Sequence, residues 1–252
     1  MSDVAKAAKA VMVWGIPLVP WTLQETVVAV SDRIRSREPG FFITANVHYA
    51  MLSEQHPDLR EINERAAFIL ADGKPLVWAA RLAGSPIPER VAGSDLIFRL
   101  CEEAARQQFG VYLLGGGEGV AEKAAERLVS CYPGLRIVGT ACPPFGERTP
   151  EQEAAIVAAV REAAPDLLIT AFTMPRGERW IAAHLEALEV PVVVNLGASL
   201  DFAAGRVRRA PRWMQKSGLE WLFRMAQEPR RLAGRYARNA WFVARKLIFR
   251  FQ

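Results

Sequence analysis

The stretch GVYLLGGGEGVAEKAAERL, residues 110–128, decides the fold. Gly110 to Leu114 is a short, continuously apolar run, the pattern of a strand buried on both faces. Gly119 to Cys131 then takes up helical periodicity. Between them lies Leu114-Gly115-Gly116-Gly117-Glu118-Gly119, where glycines at a helix N-terminus let a phosphate approach backbone N–H groups. A plain tight turn is the competing reading, although three consecutive glycines exceed what a turn needs. The dinucleotide fingerprint fits less well: it needs a glycine at Val120 and an acid after the strand Leu135 to Thr140. The P-loop lysine is missing too.

The same rhythm repeats on both sides. Apolar runs at Val11 to Gly15, Phe41 to Thr44, Ala67 to Leu70, Asp166 to Phe172 and Pro191 to Leu196 read as further strands. Helical spacing covers Thr22 to Arg35, Lys74 to Leu82, Asp95 to Gln107, Pro150 to Ala163 and Gly177 to Leu188, with Thr149 placed to cap the helix at Pro150. Apolar strands alternating with helices predict a doubly wound, mostly parallel α/β sheet over residues 1–205. After Gly205 no strand is expected. Prolines and arginines cluster at Arg206 to Arg212, and helices follow at Gly218 to Gln227 and Arg230 to Phe249, so residues 206–252 form a C-terminal helical basic appendage. In its second helix Leu232, Tyr236, Ala240, Val243, Leu247 and Phe251 share an apolar face. Arg231, Arg235, Arg238, Arg245 and Lys246 fall on the other side, with Trp241, Phe242 and Phe249 among them.

Composition agrees with a large folded core: 252 residues, 51% hydrophobic and 23% charged. That excludes a disordered tail or a disulfide miniprotein. The net charge of +5 is unevenly spread. Residues 206–252 hold 13 basic side chains against Glu220 and Glu228, a net of +11, which leaves −6 for the rest. An acidic body with a basic attachment argues against a uniformly positive nucleic-acid binder. Three scattered cysteines, Cys101, Cys131 and Cys142, suit a reducing compartment. Lys6 and Lys9 before Val11 to Trp21 resemble a signal peptide only superficially, since Pro17 and Pro20 interrupt the run and no cleavage site follows. No apolar run is long enough to span a membrane.

Candidate chemistry collects at strand ends. In Ala71-Asp72-Gly73-Lys74-Pro75, Asp72 follows a strand and would project into the crevice at the carboxyl edge of the sheet. The alternative is an Asp N-cap of the helix opening at Lys74. Thr44 and Asn46 end another strand and suit sugar hydroxyls, or capping. Arg90, in a loop before a helix, reads on its own as a solvated surface cation. No DxD pair is present to hold a divalent metal, His48, His56 and His184 lack ligand spacing, and no GxSxG elbow exists. No metal and no cofactor are expected.

At this point the residues become recognisable. ITANVHYAML, ILADGKPLVWAAR, ERVAGSDLI, the opening stretch with YPGLRIVGT, PRGERWI and NLGASLDFAAGRVRRAPRWMQKSGLEWLFRMAQEPRRL look like successive blocks of the WecG/TagA/CpsF glycosyltransferase family. The resemblance runs from about Val11 to Arg235. It implies a Rossmann-like core and an inverting, metal-independent transfer of a sugar, typically of N-acetylmannosamine type or a related hexose. The donor would be a UDP-sugar and the acceptor polyprenyl-diphosphate-linked, in surface polysaccharide or teichoic acid synthesis at the cytoplasmic membrane face. Residue by residue, the family's proposed base falls on Asp72, and its Thr and Asn on Thr44 and Asn46. Its loop arginine falls on Arg90, its nucleotide-side aspartate on Asp201, and its C-terminal arginines on Arg224 and Arg231. A third arginine lands at Gly234, or at Arg235 with a one-residue shift. The family usually has glutamine where this chain has Gly177, which removes an amide contact; Arg176 and Glu178 are the candidates to replace it.

On this reading Asp72 takes the acceptor hydroxyl proton, while Gly115, Gly116 and Gly117 (with Glu118 beside them), Arg90, Arg224 and Arg231 neutralise the leaving diphosphate without a metal. The appendage would hold the enzyme against the anionic inner face of the membrane. Its competing use is an oligomer contact or a lid on the core, and a homo-oligomer is compatible with the sequence. From another class, a nucleic-acid-binding α/β protein with a basic helical tail explains the charge but leaves Asp72, Thr44 and Asn46 without a role.

Overall fold

The computed structural model describes residues 9–144 and 146–248. Phe249, where the last helix was expected to end, and Phe251 of its apolar series lie outside the described residues, as do Arg250 and Lys6. The described residues begin with an antiparallel hairpin, β1 (Val11–Val13) against β2 (Ile16–Leu18), with Met12 opposite Pro17. Helix α1 (Leu23–Ser36) leads to β3 (Gly40–Ala45), helices α2 (Val47–Gln55) and α3 (Pro57–Arg65) to β4 (Phe68–Ala71), and α4 (Lys74–Leu82) and α5 (Gly93–Gln107) to β5 (Gly110–Gly115). Strict alternation follows: α6 (Val120–Cys131), β6 (Arg136–Ala141), α7 (Pro150–Ala163), β7 (Leu167–Ala171), α8 (Arg176–Leu188) and β8 (Val192–Asn195). Beyond β8 the described chain is helical, in α9 (Ser199–Ala203), α10 (Arg212–Ser217), α11 (Glu220–Gln227) and α12 (Pro229–Ile248).

Strands β3 to β8 form one parallel sheet in the order β4-β3-β8-β7-β5-β6. Helices cover both faces, giving a Rossmann-like fold. The two-residue repeat of each strand divides the core. Phe41, Ile43, Tyr112, Leu114 and Val193 enter one apolar cluster, and Phe42, Val111, Leu113, Val192 and Val194 the other. β5 continues outward to β6, whereas β7 continues inward to β8. The winding direction therefore reverses between β5 and β7, and such a reversal opens a crevice at the carboxyl ends of the strands.

After β8 two short helices, α9 and α10, stand where none was expected, and two expectations change ahead of β5. Val11 to Gly15 is not a strand of the parallel sheet. Trp14 and Gly15 both have positive φ (49° and 83°) and close a two-residue turn into β2, the geometry that matches hairpin twist. Pro17 conceals β2 in the sequence, and it is tolerated because the hairpin is a separate two-stranded unit. The second change is the helix pair α2–α3 between β3 and β4, where no helix was expected. Asn46 caps the first, and Pro57 holds His56 extended (φ −121°, ψ 108°), splitting what would be one irregular helix into two short ones. The Thr149 cap forms as expected, with Oγ1 accepting the Gln152 N–H at 3.3 Å.

The C-terminal helices lie on the body. Leu232 and Phe242 are the buried anchors of α12. Phe242, which the periodicity placed on the cationic side away from the apolar face, is buried: its ring packs edge-on against Trp14 at 5.5 Å, with Arg245 and Lys246 over it. Arg245 and Lys246 both pair with Glu54 at the end of α2.

Candidate active site

Asp72 directly follows β4, at the carboxyl edge of the sheet, and its N–H donates to the Ala45 carbonyl of β3 at 2.7 Å. It does not cap α4: Gly73 is the N-cap, with no side-chain bond. The carboxylate turns the other way, and Oδ2 accepts the Gly93 N–H at 3.4 Å. Burial lifts this carboxyl to about 6, against the pull of Arg90, the Gly93 N–H and Arg224, with Glu220 adding to the lift. A half-buried carboxylate poised near neutrality beside specific charge partners is the electrostatic pattern of a general base.

Arg90 is no surface cation, since only 14% of its side chain is exposed. Its Nη1 donates to Glu220 Oε2 at 2.9 Å, and Nη2 lies 3.7 Å from Asp95 Oδ2. The other Glu220 oxygen accepts from Arg209 Nε at 3.2 Å, and Arg209 Nη1 reaches Asp95 Oδ1 at 2.9 Å. Two arginines and two acids thus interlock across the junction of body and C-terminal helices, with Asp72 beside them. Glu220 and Arg209 escaped the sequence reading. Their only signal was position, because the Arg206 to Arg212 cluster read as undifferentiated basic charge and Glu220 as one of two acids within it.

Arg224 links this group to Asp201. It acts electrostatically on both carboxylates, and its guanidinium sits over the Phe202 ring at 5.4 Å. Its Nε is buried without a hydrogen-bond partner among the described residues, an orphaned donor of the sort a ligand oxygen satisfies. Asp201, on α9, is raised by burial while Arg206 and Arg231 pull it down. Arg231 itself is paired with Glu228 at 2.6 Å.

Thr44 is buried near the end of β3, in register with Leu70 of β4. Asn46 performs the capping role, its Oδ1 accepting the Tyr49 N–H at 3.1 Å. Thr44 on β3 and Asn46 just beyond its end neighbour the strand that leads to Asp72. Gly115 to Gly117 do not. In the order β4-β3-β8-β7-β5 they lie four strand spacings away, roughly 19 Å.

Gly115 and Gly116 have φ of 99° and 85°, which side-chain-bearing residues avoid, so part of the glycine run is demanded by the turn itself. A side chain at Gly117 would meet the Arg206 guanidinium at 2.8 Å. Glu118 is exposed on the turn. Gly115 and Gly116 also line a cleft at the β5/β7 reversal together with Phe172, Thr173, Arg148 and Arg176. Arg148, over the Phe172 ring at 5.2 Å, is a second cation with no sequence signal. Among the described residues no cluster of metal-ligating side chains occurs.

The Gly177 departure has a local cause. A Cβ there would lie 2.2 Å from Asn195 Nδ2. Asn195 cannot yield, because Oδ1 accepts from Thr170 Oγ1 and the Phe172 N–H, both at 3.1 Å, while Nδ2 donates to Glu178 at 3.0 Å. Glu178 is buried, which lifts its carboxyl to about 7, and it faces Asn195 instead of the cleft. Of the two proposed substitutes for the missing amide, Arg176 alone lines the cleft. Gly177→Ala is expected to cost about 2–3 kcal/mol in urea unfolding, and adding Asn195→Ala to recover part of that loss. Strict additivity of the two changes would refute the steric account.

A family model for the glycosyl transferase WecG/TagA/CpsF family matches residues 11–252. The chain is similar to an N-acetylglucosaminyldiphosphoundecaprenol N-acetyl-beta-D-mannosaminyltransferase of Bacillus spizizenii, 29% identical over 192 residues covering 76% of this chain and 73% of the relative. A protein of the same name from Bacillus subtilis is 27% identical over 186 residues, covering 74% and 71%.

Proposed function

The chain belongs to the WecG/TagA/CpsF glycosyltransferase family, and from that premise we propose that it transfers an N-acetylmannosamine-type sugar from a UDP-sugar to a polyprenyl-diphosphate-linked N-acetylglucosamine. The relatives' names supply the sugar and acceptor class. Asp72 beside Arg90, with Arg224 in reach, is the observation that supports the chemistry.

In this reading the nucleotide occupies the cleft at the β5/β7 reversal, with Gly115, Gly116 and Gly117 against its nucleoside end, Glu118 at the rim and Arg148 and Arg176 beside it. The diphosphate extends along the strand ends toward Arg224, whose unpartnered Nε becomes satisfied. Asp201 and Arg231 shape the nucleotide side. Thr44 and Asn46, which keeps its Nδ2 group for a ligand, meet sugar hydroxyls near Asp72. The acceptor hydroxyl attacks the anomeric carbon as Asp72 removes its proton, which inverts that centre and releases UDP. Charge on the leaving diphosphate is met by guanidinium and backbone N–H groups preorganised in a low-dielectric crevice, so no metal is needed.

No helix among the described residues is long and apolar enough to cross a membrane. Residues 206–252 bring the enzyme to the anionic inner surface that carries its acceptor. The expected result is release of UDP and elongation of a short-chain polyprenyl-diphosphate N-acetylglucosamine when UDP-N-acetylmannosamine is supplied with chelator present. UDP at about 100 times its dissociation constant should add roughly 2.7 kcal/mol to stability. No transfer, no UDP stabilisation and salt-dependent duplex DNA binding would instead favour the nucleic-acid reading.

A further inference from the structure

The hairpin, α4 and α12 are far apart in sequence and meet on one face. Met12, Val13, Trp14, Ala79, Ala83 and Leu247 line an apolar groove between them, with Lys246 at its wall. Around it large apolar side chains are left in the open: Met12 is 63% exposed, Trp78 52%, Leu82 61% and Ile248 60%. Single exposed apolar residues need no explanation, whereas a gathered patch marks an interaction surface.

The charge of the same three segments names the partner. Residues 9–24, 74–88 and 229–248 contain no acid at all, yet they carry Lys9, Lys74, Arg81 and the six cations of α12. Acids do reach α12 from outside: Glu54 pairs with Arg245 and Lys246, and Glu228 with Arg231. Lys9 and Arg81 are exposed. A protein-binding surface would be depleted of lysine at its centre. Apolar side chains on segments that carry cations and no acid of their own match the headgroup layer of an anionic bilayer, where rings and aliphatic chains enter the interface and cations meet lipid phosphates.

We propose that the hairpin, α4 and the C-terminal end of α12 form one composite lipid-facing surface, on which Met12, Trp78, Leu82 and Ile248 enter the headgroup region of an anionic membrane. The body therefore shares the contact with the basic C-terminal segment. α4 starts two residues after Asp72 and its nine residues span roughly 13 Å. On the transferase reading, on which this last step rests, one rigid helix sets the height of the carboxylate above the lipid.

The test is co-sedimentation of the full chain with phosphatidylcholine vesicles, with and without phosphatidylglycerol. Wild type should pellet with the anionic vesicles. Trp78→Ser combined with Leu82→Ser should weaken that partition roughly tenfold or more, while Trp78→Phe with Leu82→Met stays within about twofold. Both positions are exposed, and unchanged thermal unfolding confirms that each variant folds. Wild-type indifference to phosphatidylglycerol, or equal partition of the serine variant, would overturn the proposal. So would a wild-type dimer in lipid-free sedimentation that the serine pair makes monomeric without altering vesicle binding, since a second copy would then cover the face. Failure of the transferase reading looks different: vesicle binding persists while no sugar is transferred.

Discussion

Asp72→Asn is expected to fold, to bind donor and to transfer sugar ~10²–10⁴-fold more slowly than wild type. The amide keeps the shape and the Gly93 contact but cannot accept the acceptor proton. The sign of the pH response follows from the raised carboxyl. Asp72 ionises at about 6, so wild-type turnover should fall as the pH drops below that value, and the residual activity of the variant should lack this acid limb. Stability runs the opposite way. Because the folded-state pKa lies above that of the unfolded chain, the contribution from Asp72 is fully present at low pH and is lost as the pH rises through about 6. The asparagine variant is therefore no less stable than wild type at pH 7.5, which separates lost chemistry from lost folding. Turnover between pH 5 and 8, with thermal unfolding at the same points, makes the comparison. Turnover within a few-fold of wild type would remove Asp72 from the base role.

Glu220→Ala should lower the unfolding free energy by about 3 kcal/mol or more, the scale seen when one partner of a buried ion pair is removed. Arg90 and Arg209 expose 14% and 21% of their side chains. Both lose their shared carboxylate at once: Arg90 keeps the field of Asp72 and the more distant Asp95, and Arg209 keeps Asp95, which is itself 40% exposed, with the Ser94 carbonyl and Gln215. Arg90 also loses the contact that holds it near Asp72, so transfer should decline as well. Glu220→Asp, which keeps the charge on a shorter stem, should restore part of both. Urea unfolding measures the first effect and turnover per folded enzyme the second. A stability loss below about 1 kcal/mol would mean that the junction is held by apolar packing, with Leu232 and Phe242 as its anchors, and not by these charges.

The sheet was legible because parallel strands buried on both faces write themselves as apolar runs between helical periods. β3, β4, β5, β7 and β8 fall within two residues of their expected limits for that reason, whereas β6, a half-buried edge strand, was marked by its place between two helical periods. β2 was not legible, since a three-residue strand containing Pro17 has no pattern to show. Local patterns also located the chain positions that end at the carboxyl edge, Asp72 and Thr44 among them. They could not show which distant cation meets which acid. Arg90 looked solvated because its partner Glu220 is 130 residues away, and Arg209, Arg148 and Asn195 owe their places to tertiary packing alone. Asn46 was legible only in part: capping stood beside sugar recognition as an open alternative, while the helix that it caps was not expected.

β8 is the last strand made and sits in the middle of the sheet, between β3 and β7. As the chain leaves the ribosome, β3 with β4 and β5 with β6 and β7 can pair early, but each set keeps an open inner edge until Val192–Asn195 arrives. The nascent protein is thus two half-sheets waiting for a keystone, with exposed β3 and β7 edges that invite intermolecular pairing. The crevice takes its final width only when that strand is seated. Arg224 and the rest of the C-terminal helices follow it, so on the proposed reading the surface that meets the diphosphate is assembled last.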